Sequence, residues 1–128
     1  MSQVRSTTTS SPRILLVEDS LLVAQEIEHS LVSFGYAVVG PHGRLPDAME
    51  AARSSDLDGA VLDVNLDGEL VFPVARELAR REIPFIFATG YDVPIVPPDL
   101  ADRVRIVKPF SRHELGEAVG RMLRASRD

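Results

Sequence analysis

Three features of the 128-residue sequence predict a parallel α/β fold. Short apolar runs of strand length alternate with segments whose apolar residues recur at helical spacing. The runs are continuous rather than alternating, as expected of strands covered on both faces. No internal repeat or second composition zone appears, so one domain accounts for the chain. Strands joined through helices imply right-handed crossovers, a parallel sheet and helices on both of its faces.

Residues 1–12, "MSQVRSTTTSSP", read as a polar tail with Pro12 at the entry to the fold; they lack the apolar core of a secretory signal. The domain is expected over 13–125, with 126–128 as a C-terminal tail. "RILLV" (13–17) is the first strand. In the following helix Leu22, Val23, Ile27, Leu31 and Phe34 share one face, Ser20 is a plausible N-cap and Gly35 a C-terminal stop. "YAVVG" (36–40) is the second strand, and "LPDAMEAARS" the second helix with Pro46 near its start. "GAVLDV" (59–64) is the third strand. "LVFPVARELARRE" is the third helix, in which Pro73 is tolerable only in the first turn. "PFIFAT" (84–89) and "VRIVK" (104–108) are the fourth and fifth strands. Between them "YDVPIVPPDLAD" carries Pro94, Pro97 and Pro98, which allows one turn around 98–101 rather than a full helix. "SRHELGEAVGRMLRA" closes the domain, with Ser111 and Glu114 as a capping box.

Hydrophobic residues make up 45% and charged ones 26%, the balance of a soluble globular domain. A net charge of −5 and no separate basic cluster argue against nucleic-acid binding. No cysteine is present, which excludes disulfides, thiolate metal sites and a cysteine nucleophile, and fits a reducing, cytoplasmic setting. No apolar run reaches the roughly 18 residues of a membrane span.

The polar residues carry the functional argument. Glu18 and Asp19 follow the first strand, Asp63 ends the third, Thr89 the fourth and Lys108 the fifth. Sites of open α/β sheets form outside the carboxyl ends of the strands. Each residue alone has an ordinary explanation: helix-capping acids, a turn aspartate, a strand-end hydroxyl, a solvated lysine. Placing all of them at matching strand ends by chance is harder. Clustered carboxylates repel and call for a cation, and oxygen ligands with water positions left open suit Mg²⁺. A lysine opposite them offers fixed positive charge to an anion, and Thr89 a hydroxyl donor. Phosphoryl transfer needs little more, and its acceptor would be a carboxylate, centrally Asp63.

"VLDVNLDGEL" (61–70) also contains the first half of a calcium-binding loop, Asp63, Asn65, Asp67 and Gly68. The second half fails: the twelfth loop position is Val74, where a bidentate glutamate is required, and a strand rather than a helix precedes it.

"LLVEDS", "AVLDVNLDG", "FATG" and "IVKPF", in that order between Arg13 and Arg124, resemble the response-regulator receiver domains of bacterial two-component signalling. The resemblance implies a flavodoxin-like (βα)5 fold with strand order 2-1-3-4-5 and, here, a short or irregular fourth helix. It implies Asp63 as phosphoacceptor and Glu18 and Asp19 as the acid pair that positions Mg²⁺, with the backbone carbonyl of Asn65 as a further ligand. Thr89 would be the switch hydroxyl, Lys108 the phosphoryl-contacting lysine, and Pro109 would follow a cis peptide bond. A sensor histidine kinase would be the donor, and a downstream signalling protein or phosphotransferase the recipient of the message. Such a module is not an enzyme in the usual sense, catalysing only its own phosphorylation and dephosphorylation. With no output domain after Asp128, the message is expected to pass by protein contact, or the module to serve as a relay or phosphate sink.

Two departures matter. The position three residues before the lysine, usually aromatic, is Arg105, leaving Tyr91 as the nearest aromatic, either for a related switch role or as a loop residue partly covering the cleft. "PFIFATGYD" resembles the signature of single-domain regulators nicknamed FAT GUY, which implies a stress-response phosphorelay. His29, His42 and His113 form no pair at ligand spacing and are assigned no function. Two other functions compete with this one. A haloacid-dehalogenase-type phosphatase needs a D-x-D motif after the first strand, where "VEDS" stands. A receiver-like interaction module acting without phosphorylation is the other, against which the complete site set argues.

Overall fold

A computed structural model describes residues 11–90 and 96–127. Its elements are β1 (Arg13–Val17), α1 (Leu21–Ser33), β2 (Ala37–His42), α2 (Leu45–Ser54), β3 (Gly59–Asp63), β4 (Asn65–Leu66), β5 (Glu69–Leu70), α3 (Phe72–Arg80), β6 (Phe85–Thr89), β7 (Arg105–Val107) and α4 (Arg112–Arg127). A 3₁₀ turn covers Pro98–Leu100. The main sheet has five parallel strands in the order β2-β1-β3-β6-β7, the predicted order once the small β4–β5 pair is set aside.

The continuous apolar strands are continuous because each feeds two cores. Leu15, Val17, Ala60, Leu62, Phe85 and Phe87 pack with Ala48, Ala51 and Ala52 of α2 and Val74, Ala75 and Leu78 of α3. The alternate residues Ile14, Leu16, Val61, Ile86 and Ala88 pack with Ile27 and Leu31 of α1 and Leu115, Val119 and Met122 of α4. Period-two side chains thus split each strand between the two helical layers. Burying one such leucine or isoleucine stabilises the fold by about 2 kcal/mol.

Most helix ends form as their residues dictate. Ser20 caps α1, its Oγ accepting the Val23 N–H at 3.4 Å, and Gly35 follows the helix at φ +96°. Pro46 and Pro73 occupy the first turns of α2 and α3, where their missing N–H groups cost nothing. At α4 the Glu114 N–H donates to Ser111 Oγ at 3.0 Å, and the Ser111 N–H donates to Glu114 Oε1 at 2.8 Å. That reciprocal pair is the expected capping box.

Strand and helix boundaries shift by one or two residues from expectation, and three of the shifts matter here. β2 runs past Gly40 through a cis-Pro41 to His42, because an edge strand tolerates proline's missing donor. Leu70 belongs to β5 rather than to the third helix, which begins at Phe72. α4 continues past Ala125 to Arg127. Among the described residues, no helix is long and apolar enough to cross a membrane.

Candidate functional site

Sheet register brings the strand-end residues together. Val17 lies beside Leu62, Asp63 beside Ala88, and Thr89 beside Val107, so β1, β3, β6 and β7 all finish at one edge. Glu18, Asp63 and Thr89 are the buried polar residues there, and among the described residues the other buried side chains are apolar.

Lys108 bridges the acids. Its Nζ lies 2.6 Å from Glu18 Oε1 and 3.4 Å from Asp63 Oδ2. The other Glu18 oxygen, Oε2, accepts the Ser20 N–H at 3.1 Å, so both ends of that carboxylate are held. Asp63 Oδ1 accepts the Asn65 N–H at 3.3 Å. The Lys108 N–H donates to the Thr89 carbonyl at 2.7 Å, locking the two strand ends together. Thr89 Oγ1 donates to the Gly90 carbonyl at 3.2 Å. The Lys108–Pro109 peptide bond is cis.

Burial and the neighbouring Glu18 carboxylate push the Asp63 carboxyl up to about 7, against the pull of Lys108 and the Asn65 N–H. Burial pulls Lys108 down, but its hydrogen bond to Glu18 and the charges of Asp63 and Glu18 more than offset that, and it titrates above its ordinary value. The site therefore carries more negative charge than one lysine neutralises.

A divalent cation fits this donor set. Carboxylate oxygens of Glu18, Asp19 and Asp63 lie within 4.8 Å of one another, two of them on buried side chains and one on the exposed Asp19. All are hard oxygen donors, the kind Mg²⁺ takes while keeping water in its remaining positions. Arg105, at the usual aromatic position, is exposed on β7. Tyr91 lies outside the described residues.

One feature beside the site is absent from the sequence reading. Directly after Asp63 the chain folds into a hairpin, β4 paired antiparallel to β5 through Asn65↔Leu70 and Leu66↔Glu69. Asp67 and Gly68 turn it at φ +52° and +95°. Positive φ at both central residues is the two-residue hairpin turn that Asp-Gly favours, so the signal was present in the sequence. The half-match to a calcium loop is this turn. Val74, at the twelfth position of that motif, is fully buried in α3.

No family model matches the chain. A relative, the transcriptional regulatory protein PdtaR of Mycobacterium tuberculosis, is 30% identical over 115 residues, 84% of this chain and 54% of that protein. The chain thus spans about half the length of the curated relative it matches. The solution structure of SdrG from Sphingomonas melonis Fr1 is similar at TM-score 0.76 and 36% identity, over 93% of this chain and 98% of that one. The receiver domain of sensor histidine kinase PA1611 from Pseudomonas aeruginosa PAO1, solved with a magnesium ion in its active-site cleft, aligns at TM-score 0.74 and 27% identity. That alignment covers 88% of this chain and 98% of that domain.

Proposed function

The chain belongs to the response-regulator receiver family, and from that premise we propose that it is a phosphorylation-driven switch with Asp63 as its phosphoacceptor. The observation that carries this reading is the contact of Lys108 Nζ with both Glu18 and Asp63 at the carboxyl edge of the sheet. An Asp63 oxygen attacks the phosphorus of a phosphohistidine on a sensor histidine kinase. The P–O bond forms, the P–N bond breaks, and the imidazole leaves with a proton.

Mg²⁺ bound by Glu18, Asp19, Asp63 and the Asn65 carbonyl would supply positive charge to the transferring oxygens. The chain's own residues do the rest. Asp63 is held in line by the Asn65 N–H, and Lys108 provides a fixed charge on the side facing β7. Burial of Glu18 and Asp63 lowers the local dielectric and strengthens both effects. The acyl phosphate carries about −2 near neutral pH where the carboxylate carried at most −1, and the added charge draws Lys108 from Glu18 and Thr89 from the Gly90 carbonyl. Displacement of Thr89 at the end of β6 then biases a two-state surface. Water attack on the acyl phosphate then resets the switch.

Exposed Leu21 and Leu22 open α1 directly after the acid pair and offer an apolar foothold for the donor or recipient protein. SdrG is also known in a BeF₃-activated conformation, which is 37% identical to this chain, and this supports the same chemistry here. The "PFIFATGYD" motif points to a stress-response relay as the setting.

Intact-mass spectrometry after incubation with acetyl phosphate tests the reading. One added phosphoryl group, lost in EDTA and in Asp63→Asn, is the expected result. No adduct from acetyl phosphate or from a histidine kinase, on folded protein, would move the function to phosphate-independent binding.

A further inference from the structure

The β4–β5 hairpin stands where the proposed chemistry needs a fixed backbone. Asp63 ends β3, Val64 is a single buried residue, and Asn65 already begins β4. The segment is pinned from three sides. The Val71 N–H donates to the Val64 carbonyl at 2.9 Å and closes the hairpin's base. Leu66 and Val71 are buried in the core shared with α2 and α3, so the hairpin cannot swing as a free loop. At the tip the Gly68 N–H donates to Asn65 Oδ1 at 2.7 Å. The Asn65 side chain is thereby spent on the turn, while its N–H reaches back to Asp63 Oδ1 at 3.3 Å.

We propose that Asn65 and Gly68 are positioning residues: the Asn65 side chain, held by the Gly68 N–H, orients the Asn65 backbone toward Asp63 and so sets the site's affinity for Mg²⁺. The proposal rests on the switch reading above, and assigns the Asn65 side chain to the turn rather than to the phosphoryl group. The tip can be broken without touching site charge. Gly68 sits at φ +95°, and a Cβ added there meets nothing within 4 Å, so Gly68→Ala strains only the backbone. The protein supplies its own control. Gly35, beyond the far end of α1, sits at φ +96° with equally open surroundings. Gly68→Ala and Gly35→Ala should lose similar stability for the same reason.

The experiment measures Mg²⁺ binding by titration calorimetry on wild type, Gly68→Ala, Gly35→Ala and Asn65→Ala, with thermal melts in EDTA. Hydrogen exchange of the Gly68 amide gives a readout independent of metal. Gly68→Ala and Asn65→Ala should weaken Mg²⁺ about tenfold, the usual effect of losing a group that orients a ligand. Gly35→Ala should bind as wild type does despite its lower melting temperature. The Gly68 amide should exchange faster in Asn65→Ala. Equal Mg²⁺ affinity in Gly68→Ala and Gly35→Ala would overturn the positioning role while leaving the switch intact. A wild type that binds no Mg²⁺ and accepts no phosphoryl group would overturn the switch reading, and this inference with it.

Discussion

Asp63→Asn should stabilise the metal-free protein, although it removes the residue on which the proposed function depends. Burial and Glu18 push the Asp63 carboxyl from 3.8 up to about 7. With the folded-state value above the unfolded one, the native state keeps a proton that the unfolded chain has released. Stability therefore falls as pH rises from about 4 to about 7, and the full cost is present above that window. At about 1.4 kcal/mol per pH unit, a difference of roughly three units sets a ceiling of about 4 kcal/mol at pH 8. Relaxation around the Glu18–Lys108–Asp63 triad reduces it, and about 2 kcal/mol is a working figure.

The carboxamide keeps the shape of Asp63 and carries no charge, so it escapes that cost. In EDTA at pH 8 the variant should melt on the order of 5–10 °C above wild type, and at pH 5 by less than half that margin. Adding Mg²⁺ should narrow or invert the order, since wild type gains binding free energy that the variant lacks, about 2.7 kcal/mol at a hundred times Kd. Thermal melts by circular dichroism at both pH values suffice. A variant no more stable than wild type at pH 8 in EDTA would show that Asp63 is not under electrostatic strain.

Four further substitutions probe the same arrangement. Lys108→Ala leaves the buried Glu18 and Asp63 carboxylates without their cation and should cost about 2–3 kcal/mol in urea denaturation at pH 8; a change below about 0.5 would contradict the bridging role. Asp19→Asn, on an exposed side chain, should leave metal-free stability within about 0.5 kcal/mol yet raise the Mg²⁺ Kd about tenfold by calorimetry. Leu66→Ala empties the buried foot of the hairpin and should cost about 3 kcal/mol; a loss under about 1 would mean the hairpin is not anchored by it. Arg105→Ala, on an exposed edge residue, should change stability by less than about 0.5 kcal/mol and leave the phosphoryl lifetime within about twofold, as followed by mass spectrometry.

What the sequence disclosed was local or strictly periodic. Ser20, Gly35, Pro46, Pro73 and the Ser111–Glu114 pair mark helix ends through contacts within four residues, and all of them act as their chemistry requires. Strand-end residues were legible because each follows an apolar run. Their mutual contact was not, since Lys108 and Glu18 lie 90 residues apart and meet only through the register of four strands. The second strand was expected to end at Gly40, and nothing local says that β2 lies on an edge where the following Pro41 is tolerated. The hairpin was missed although Asp67-Gly68 announces a tight turn. Its strands are two residues each, below the length at which alternation can be read.

That miss explains why Asp63 to Gly68 matches two unrelated patterns. A calcium loop places carboxylate and carbonyl oxygens around a cation, as the proposed Mg²⁺ site here would, and both need a glycine where the backbone turns sharply. They differ in what the turn serves. In a calcium loop it wraps the backbone around the ion, and a distant glutamate completes the shell. Here it closes a hairpin whose base is buried, and the remaining acids come from β1's end, across the sheet. A shell drawn from two strands depends on sheet register, and any slip of the segment after Asp63 would pull Asn65 out of line. A short antiparallel pair, anchored by Leu66 and Val71 and tied at its tip by Asn65 and Gly68, resists that slip better than an open loop of equal length.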